Sequence, residues 1–126
     1  MSNTPSNLKY AKSDEWFDPA TGKVGISDYA QGQLSDIVFM EITVSVGDSI
    51  EAGSAIASVE SVKAASDVLA PASGKVVAIN EDLASGPESI NSDPYGAAWF
   101  IQIEGGDAAG LMDSAAYEKY CEGRAH

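Results

Sequence analysis

Gly53-Ser54-Ala55-Ile56-Ala57-Ser58-Val59-Glu60-Ser61-Val62-Lys63-Ala64-Ala65-Ser66-Asp67-Val68-Leu69-Ala70-Pro71-Ala72-Ser73-Gly74 runs from glycine to glycine around a single lysine. Gly53 stands ten residues before Lys63 and Gly74 eleven after it. Apolar, strand-like segments at 55–59 and 68–70 fill the two gaps. Two arms of matched length around one lysine predict a β-hairpin with Lys63 at its tip. The tip, Glu60-Ser61-Val62-Lys63-Ala64, has none of the Asn-Gly or Gly-rich chemistry that closes tight hairpins. The symmetry of the arms carries the reading, not the turn.

Outward from the hairpin the pattern repeats. Residues 37–42 are β-branched, aromatic and few, as strands are. Gly47-Asp48 and Ala52-Gly53 are turn signals on either side of Ile50, and Pro71-Ala72-Ser73-Gly74 turns the chain into a strand over 75–79. Toward the N-terminus, residues 8–17 end in a strand. Asp18-Pro19-Ala20-Thr21-Gly22 reads as a turn, because Pro fixes φ and Gly is free to take positive φ. Val24 and Ile26 begin another strand, and Ser27-Asp28 can cap a brief helix through Leu34. Toward the C-terminus, residues 81–96, with Pro87 and Pro94, form a loop or hold one short helix. A last strand follows at 99–103. Asp113 or Ser114 then caps a helix through about Cys121, with Met112, Ala116 and Tyr120 on one face and Gly123 at its end.

Many short strands punctuated by Gly and Pro argue for an all-β dominated fold, a sandwich or barrel with short helices and a C-terminal helix outside it. At 126 residues the chain fits one domain. We place that domain at 8–126, with its last helix at about 113–122, behind a disordered tail over 1–7.

Composition excludes several functions. Seven basic residues face nineteen acidic ones, for a net charge of −12. Such a chain repels phosphate, so neither nucleic acid nor an anionic membrane surface is an expected partner. No apolar run is long enough to cross a bilayer. The first seven residues are polar, with no secretion signal and no transit-peptide arginines, which makes the cytosol the expected location, and the mitochondrial matrix only if a transit peptide has been removed. The lone cysteine, Cys121, has no internal disulfide partner and is expected to pack. The lone histidine, His126, ends the chain. A Ser-His-Asp triad, a Cys-His pair and a histidine-rich zinc site are thereby excluded. No phosphate cradle or calcium loop is present, and acidic neighbours such as Glu81-Asp82 read as a solvated surface. The expectation is a non-catalytic chain.

By itself a lysine is usually a solvated head on an apolar stem. Its neighbours change the reading. Glu60-Ser61-Val62-Lys63-Ala64-Ala65-Ser66-Asp67 closely resembles the lipoyl-attachment segment of glycine cleavage system H proteins. Lys9-Tyr10-Ala11, Glu15-Trp16, Val24-Gly25-Ile26-Ser27-Asp28-Tyr29-Ala30-Gln31, Leu34-Ser35-Asp36-Ile37-Val38-Phe39, Ser73-Gly74, Asn91-Ser92-Asp93-Pro94-Tyr95-Gly96 and Trp99 resemble further landmarks of that family, in its order. The resemblance covers nearly everything from Leu8 to Tyr120.

It implies a lipoyl/biotinyl-domain-like β-sandwich, a barrel-sandwich hybrid, with lipoate in amide linkage to Lys63. It also implies a shuttle in glycine catabolism and one-carbon metabolism. A pyridoxal-phosphate glycine decarboxylase would load an aminomethyl group, a folate-dependent aminomethyltransferase would take it off, and dihydrolipoyl dehydrogenase would reoxidise the dithiol. A lipoyl-attaching enzyme is the remaining partner, and a monomer is expected. By the same resemblance Ser13, Glu15 and Asp67 line a cleft that shelters the loaded arm. On residue type alone, Glu15 and Asp67 are equally readable as surface acids and Ser13 as a turn residue. One departure stands out: the family commonly has His-Glu-Trp where this chain has Asp14-Glu15-Trp16.

Three rival readings remain at this level. One is an H-like lipoate relay, or a lipoyl carrier of another pathway such as sulfur oxidation. Another is a biotin carrier, disfavoured because Val62 and Ala64 stand where methionines usually flank the lysine. The last is an unmodified interaction domain.

Overall fold

In the computed structural model, which describes residues 5–106 and 110–123, short strands assemble two antiparallel sheets. In chain order the strands are β1 (Lys9–Tyr10), β2 (Glu15–Phe17), β3 (Lys23–Ile26), β4 (Ile37–Ile42), β5 (Ser49–Ile50), β6 (Ala55–Ser61), β7 (Ala65–Leu69), β8 (Gly74–Ile79) and β9 (Ile101–Glu104). The helices are α1 (Asp28–Leu34), α2 (Asp82–Ser85), α3 (Ser89–Ser92) and α4 (Ser114–Glu122). One sheet runs β1-β2-β3-β9-β8-β5 and the other β4-β6-β7. Val24, Met40, Ile56, Val68, Val76 and Ile101, drawn from both sheets, are fully buried in one apolar cluster. This is the mostly-sheet fold with short helices that the punctuation of short strands predicts.

A second cluster seats α4. Tyr10, Trp16, Tyr29, Tyr117 and Cys121 pack together, and the Tyr10 and Tyr117 rings stack with centroids 4.6 Å apart. Asp113 caps the helix by accepting from the Ala116 N–H at 2.9 Å. The buried face differs from the expected one. Tyr117 and Cys121, one turn apart, point inward, while Ala116 is exposed and Met112 and Tyr120 are only partly covered. The aromatic pairing outweighs the simple apolar count, because a tyrosine buries far more area than an alanine.

Three other boundaries move. β7 begins at Ala65, not at 68, since pairing with β6 draws the small and polar Ala65-Ser66-Asp67 into the ladder. Residues 81–96 hold two short helices in place of at most one. The last strand starts at Ile101, although the Phe100 N–H still reaches the Val24 carbonyl at 2.7 Å. For the expected tail over 1–7, residues 1–4 lie outside the described residues, as does His126. Pro5 begins a turn whose carbonyl accepts from the Tyr10 hydroxyl at 2.7 Å. Among the described residues, no helix is long and apolar enough to cross a membrane.

The turn at Asp18-Pro19-Ala20-Thr21-Gly22 forms as read, with Gly22 at φ +82°, and a Cβ there would collide with the Ile103 carbonyl. Gly25 has a different constraint. A Cβ would stand 2.7 Å from the ring of Trp16, which is buried and donates its Nε1–H to the Pro94 carbonyl at 2.9 Å. The ring therefore has little freedom to shift. Gly25→Ala is expected to destabilise the protein by about 1–3 kcal/mol in urea unfolding, with an unchanged m-value.

Candidate functional site

The hairpin tip is closed by a side chain. β6 and β7 pair through Ser58 with Asp67, Val59 with Ser66 and Glu60 with Ala65. Beyond them the Ser61 N–H donates to the Ala64 carbonyl at 2.8 Å. The Ser61 hydroxyl oxygen accepts from the N–H groups of Lys63 and Ala64, at 3.2 and 3.0 Å. Neither Val62 nor Lys63 takes positive φ, so the turn needs no glycine. A serine hydroxyl substitutes for the missing turn residues, which is why dipeptide rules pass over this hairpin. At the base, the Gly53 N–H meets the Ala70 carbonyl and the Ala70 N–H meets the Ser54 carbonyl, both at 2.8 Å. Glu60 and residues 62–67 are exposed, so Lys63 stands on a projecting tip.

The tip is also held from the side. The Val62 N–H donates to the Asp36 carbonyl at 3.1 Å. Ser35, just before it, has φ 68° and ψ −152°, a region that non-glycine residues rarely occupy. Asn91 holds it there. Its Nδ2 donates to the Ser35 carbonyl at 2.7 Å and to Gln31 Oε1 at 3.0 Å, and its Oδ1 accepts from the Ile37 N–H at 2.8 Å. The Asn91 landmark thus supports the segment on which the lysine tip leans.

Beside the hairpin lies a cavity of about 270 Å³. Ser13, Asp14 and Glu15 form one wall, Tyr29 and Leu34 of α1 another, and Ser66, Asp67 and Val68 of β7 a third. The structure therefore brings Ser13, Glu15 and Asp67 to one cavity, one wall of which is the strand that leads away from Lys63. Glu15 is not a surface acid: it is 2% exposed. Its Oε1 accepts from the Ser13 hydroxyl and its Oε2 from the Leu69 N–H at 3.1 Å, which ties β2 of one sheet to the free edge of β7 in the other. Burial raises its pKa to about 7, against the lowering effect of those two hydrogen bonds, and the Asp14 charge adds to the rise. Ser13 and Asp67 are exposed at the rim.

Asp14 has a structural partner that sequence reasoning missed. It takes φ 78°, and its Oδ1 accepts from the Tyr117 hydroxyl at 2.9 Å. The Tyr117 oxygen lies 2.6 Å from Ser27 Oγ, which also accepts the Ala30 N–H as the cap of α1. With Tyr117 donating to Asp14, Ser27 donates to Tyr117, and each proton has one acceptor. Burial and the adjacent Asp14 carboxylate push the Tyr117 phenol well above its usual range, so it remains a donor. The chain connects the C-terminal helix to the cleft wall. The Ser27 cap was legible as a helix start; its tyrosine partner 90 residues away was not. Tyr117→Phe leaves Ser27 and Asp14 without this partner and is expected to cost about 1–3 kcal/mol by thermal or urea unfolding.

The sequence profile of the glycine cleavage H-protein family matches residues 8–124. A glycine cleavage system H protein of Alteromonas mediterranea is 52% identical over 124 residues, covering 94% of this chain and 95% of the relative. One of Deinococcus radiodurans is 48% identical over 118 residues, covering 94% and 97%. Among solved structures, the crystal structure of a glycine cleavage system H protein from Mycobacterium marinum matches with a TM-score of 0.86 at 33% identity, covering 94% of this chain and 98% of that one. The lipoyl-domain-like β-sandwich expected from the resemblance is thus the fold observed. With a profile spanning the hairpin, the cleft and the C-terminal helix alike, this chain belongs to the glycine cleavage H-protein family.

Proposed function

We propose that the chain is the lipoyl carrier of the glycine cleavage system, with lipoate in amide linkage to Lys63 Nζ. One observation carries this reading: an exposed lysine crowns a hairpin whose β7 arm also walls a cleft containing a buried carboxylate, Glu15. The residues present fit the group. Tyr29, Leu34 and Val68 offer apolar contact to an acyl chain, and Ser13, Glu15 and Asp67 offer polar contact at one side. Asp67 lies four residues from Lys63, within roughly 13 Å at strand rise. When attached, lipoate supplies a sulfur pair that takes up a one-carbon amine and passes on two electrons.

The chain's own residues supply position and shelter. Glu60, Ser61, Val62 and Ala64 frame the attachment lysine, with the Ser61 hydroxyl holding the turn. Lys63 loses its charge on acylation, which favours docking against an apolar wall. The Glu15 carboxylate offers a buried acceptor for a protonated amine, and that pairing strengthens away from water. Such a cation would also draw the Glu15 pKa back down. The partners are glycine decarboxylase, the aminomethyltransferase, dihydrolipoyl dehydrogenase and a lipoyl-attaching enzyme. They perform the chemistry, and the carrier, a cytosolic monomer, performs none. The alternative of an H-like relay or another pathway is not favoured, since the relatives carry the glycine cleavage name.

The test is peptide mapping after incubation with a lipoate ligase, lipoate and ATP. The added lipoyl mass is expected on the peptide that contains Lys63. An unchanged mass, or modification at another lysine, contradicts the assignment.

A further inference from the structure

β4 breaks the alternation of a half-buried strand. A register shift between Ile37 and Phe39 leaves Val38 as an extra residue opposite β6. Val38 and Phe39 consequently both face water, 58% and 49% exposed. Phe39 pairs with Glu60 and Ile37 with Ser61, which puts the bulge at the tip end of the hairpin. Val62, 68% exposed, is bonded to the same segment through the Asp36 carbonyl. Three of the five large apolar side chains exposed among the described residues thus gather beside Lys63. The other two, Val46 and Val77, lie on the turn after β4 and on β8. Exposed apolar residues scattered singly need no explanation, but an aromatic grouped with two valines at a functional end does.

The charge around the patch has one sign. Asp36, Glu41, Glu60 and Asp67 are exposed near it, and Lys63 is the only basic residue between 36 and 67. A complementary surface is apolar at its centre and cationic at its edge.

We infer that the Val38-Phe39-Val62 surface is the docking site of the enzyme that acylates Lys63. The inference rests on the lipoyl-carrier reading, and reach selects the occupant. Before modification the reacting atom is Lys63 Nζ, no farther from the backbone than its four-carbon stem. The acylating enzyme must bring its own active site down to the tip, so the surface around the tip enters its interface. Enzymes acting on the far end of the finished arm meet it a full acyl chain farther out and have no such need. In the docked step the neutral Nζ attacks the carbonyl carbon of a lipoyl adenylate. The acyl–phosphate bond breaks, AMP departs with the electron pair, and the nitrogen gives up a proton.

The experiment measures initial rates of Lys63 acylation with a lipoate ligase, lipoate and ATP, followed by intact mass. Wild type, Phe39→Ser, Val38→Ser and a Val46→Ser control are compared, each checked for folding by circular dichroism. Truncating a central aromatic anchor is expected to lower kcat/KM about tenfold, mainly through KM, with a smaller loss for Val38→Ser and none for Val46→Ser. Once driven to complete lipoylation, Phe39→Ser and Val38→Ser are expected to support wild-type exchange of bicarbonate into glycine with glycine decarboxylase. If both variants are acylated at the wild-type kcat/KM, the docking site is overturned. A loss confined to exchange overturns its assignment to the acylating enzyme. A wild-type chain that resists acylation overturns the carrier reading itself, and the inference with it.

Discussion

Lys63→Arg is expected to fold with wild-type stability and to be wholly inert to lipoylation. Lys63 is exposed and on a projecting tip, so the substitution removes no packing, and a surface change of this kind is expected to shift stability by less than about 0.5 kcal/mol. The two hydrogen bonds at residue 63 and its neighbour use backbone N–H groups, which arginine retains. Charge is retained as well. What disappears is the nucleophile: an amine can shed its proton and present a lone pair, whereas a guanidinium stays protonated. Acylation, read as intact mass, should therefore be absent while the unfolding curve superimposes on that of the wild type. A variant that still gains a lipoyl group would move the attachment site elsewhere. A variant that unfolds would give the lysine a structural role that its exposure argues against.

Glu15 carries the second large effect, and it appears in the pH dependence of stability. Burial raises its pKa from 4.5 to about 7 in the folded chain. Below about 4.5 the group is protonated in both states, and its contribution to folding is fully present. As pH rises from there through about 7, the unfolded chain ionises first and the contribution is lost. The total swing is about 3 kcal/mol, from 1.4 kcal/mol per pKa unit. Glu15→Gln cannot titrate. Its amide oxygen can accept the Leu69 N–H, and its NH₂ can donate to the Ser13 oxygen, so both partners remain satisfied. The wild type is thus expected to lose about 3 kcal/mol relative to Glu15→Gln between pH 4.5 and pH 8, measured by urea unfolding of both at each pH. Effects of the other carboxylates are common to the two proteins and cancel in the difference. A difference that stays constant with pH would show that Glu15 ionises in the folded state as it does in water.

The hairpin was legible because its arms are long, apolar and matched in length around Lys63, a pattern that survives whatever closes the turn. The closure was not legible. Ser61 does the work of a glycine turn through one hydroxyl, and serine is too common in loops to signal it. The α1 cap at Ser27 and the turn at Gly22 were read correctly because caps and positive-φ turns draw on few residue types. Where elements meet, the sequence was silent. The inward turn of Tyr117 depends on Tyr10, Ser27 and Asp14, which lie far away along the chain. The convergence of Ser13, Glu15 and Asp67 was expected only from resemblance, and no local pattern could have joined a residue on β7 to the start of β2 and the turn before it. Asp14, where the resemblance leads one to expect a histidine, is in this chain the acceptor for the Tyr117 hydroxyl. The bulge at Val38 was hidden too, since a run such as Ile37-Val38-Phe39-Met40 does not reveal where alternation will break.

Exchange of labelled bicarbonate into glycine by glycine decarboxylase, with the lipoylated chain as the only carrier, tests the proposed carrier role directly. The decarboxylase is first shown to be active with an established H protein. Exchange that requires both the chain and its lipoyl group is the predicted result. A fully lipoylated chain that supports no exchange with that same enzyme would rule out its role as a carrier for glycine decarboxylase.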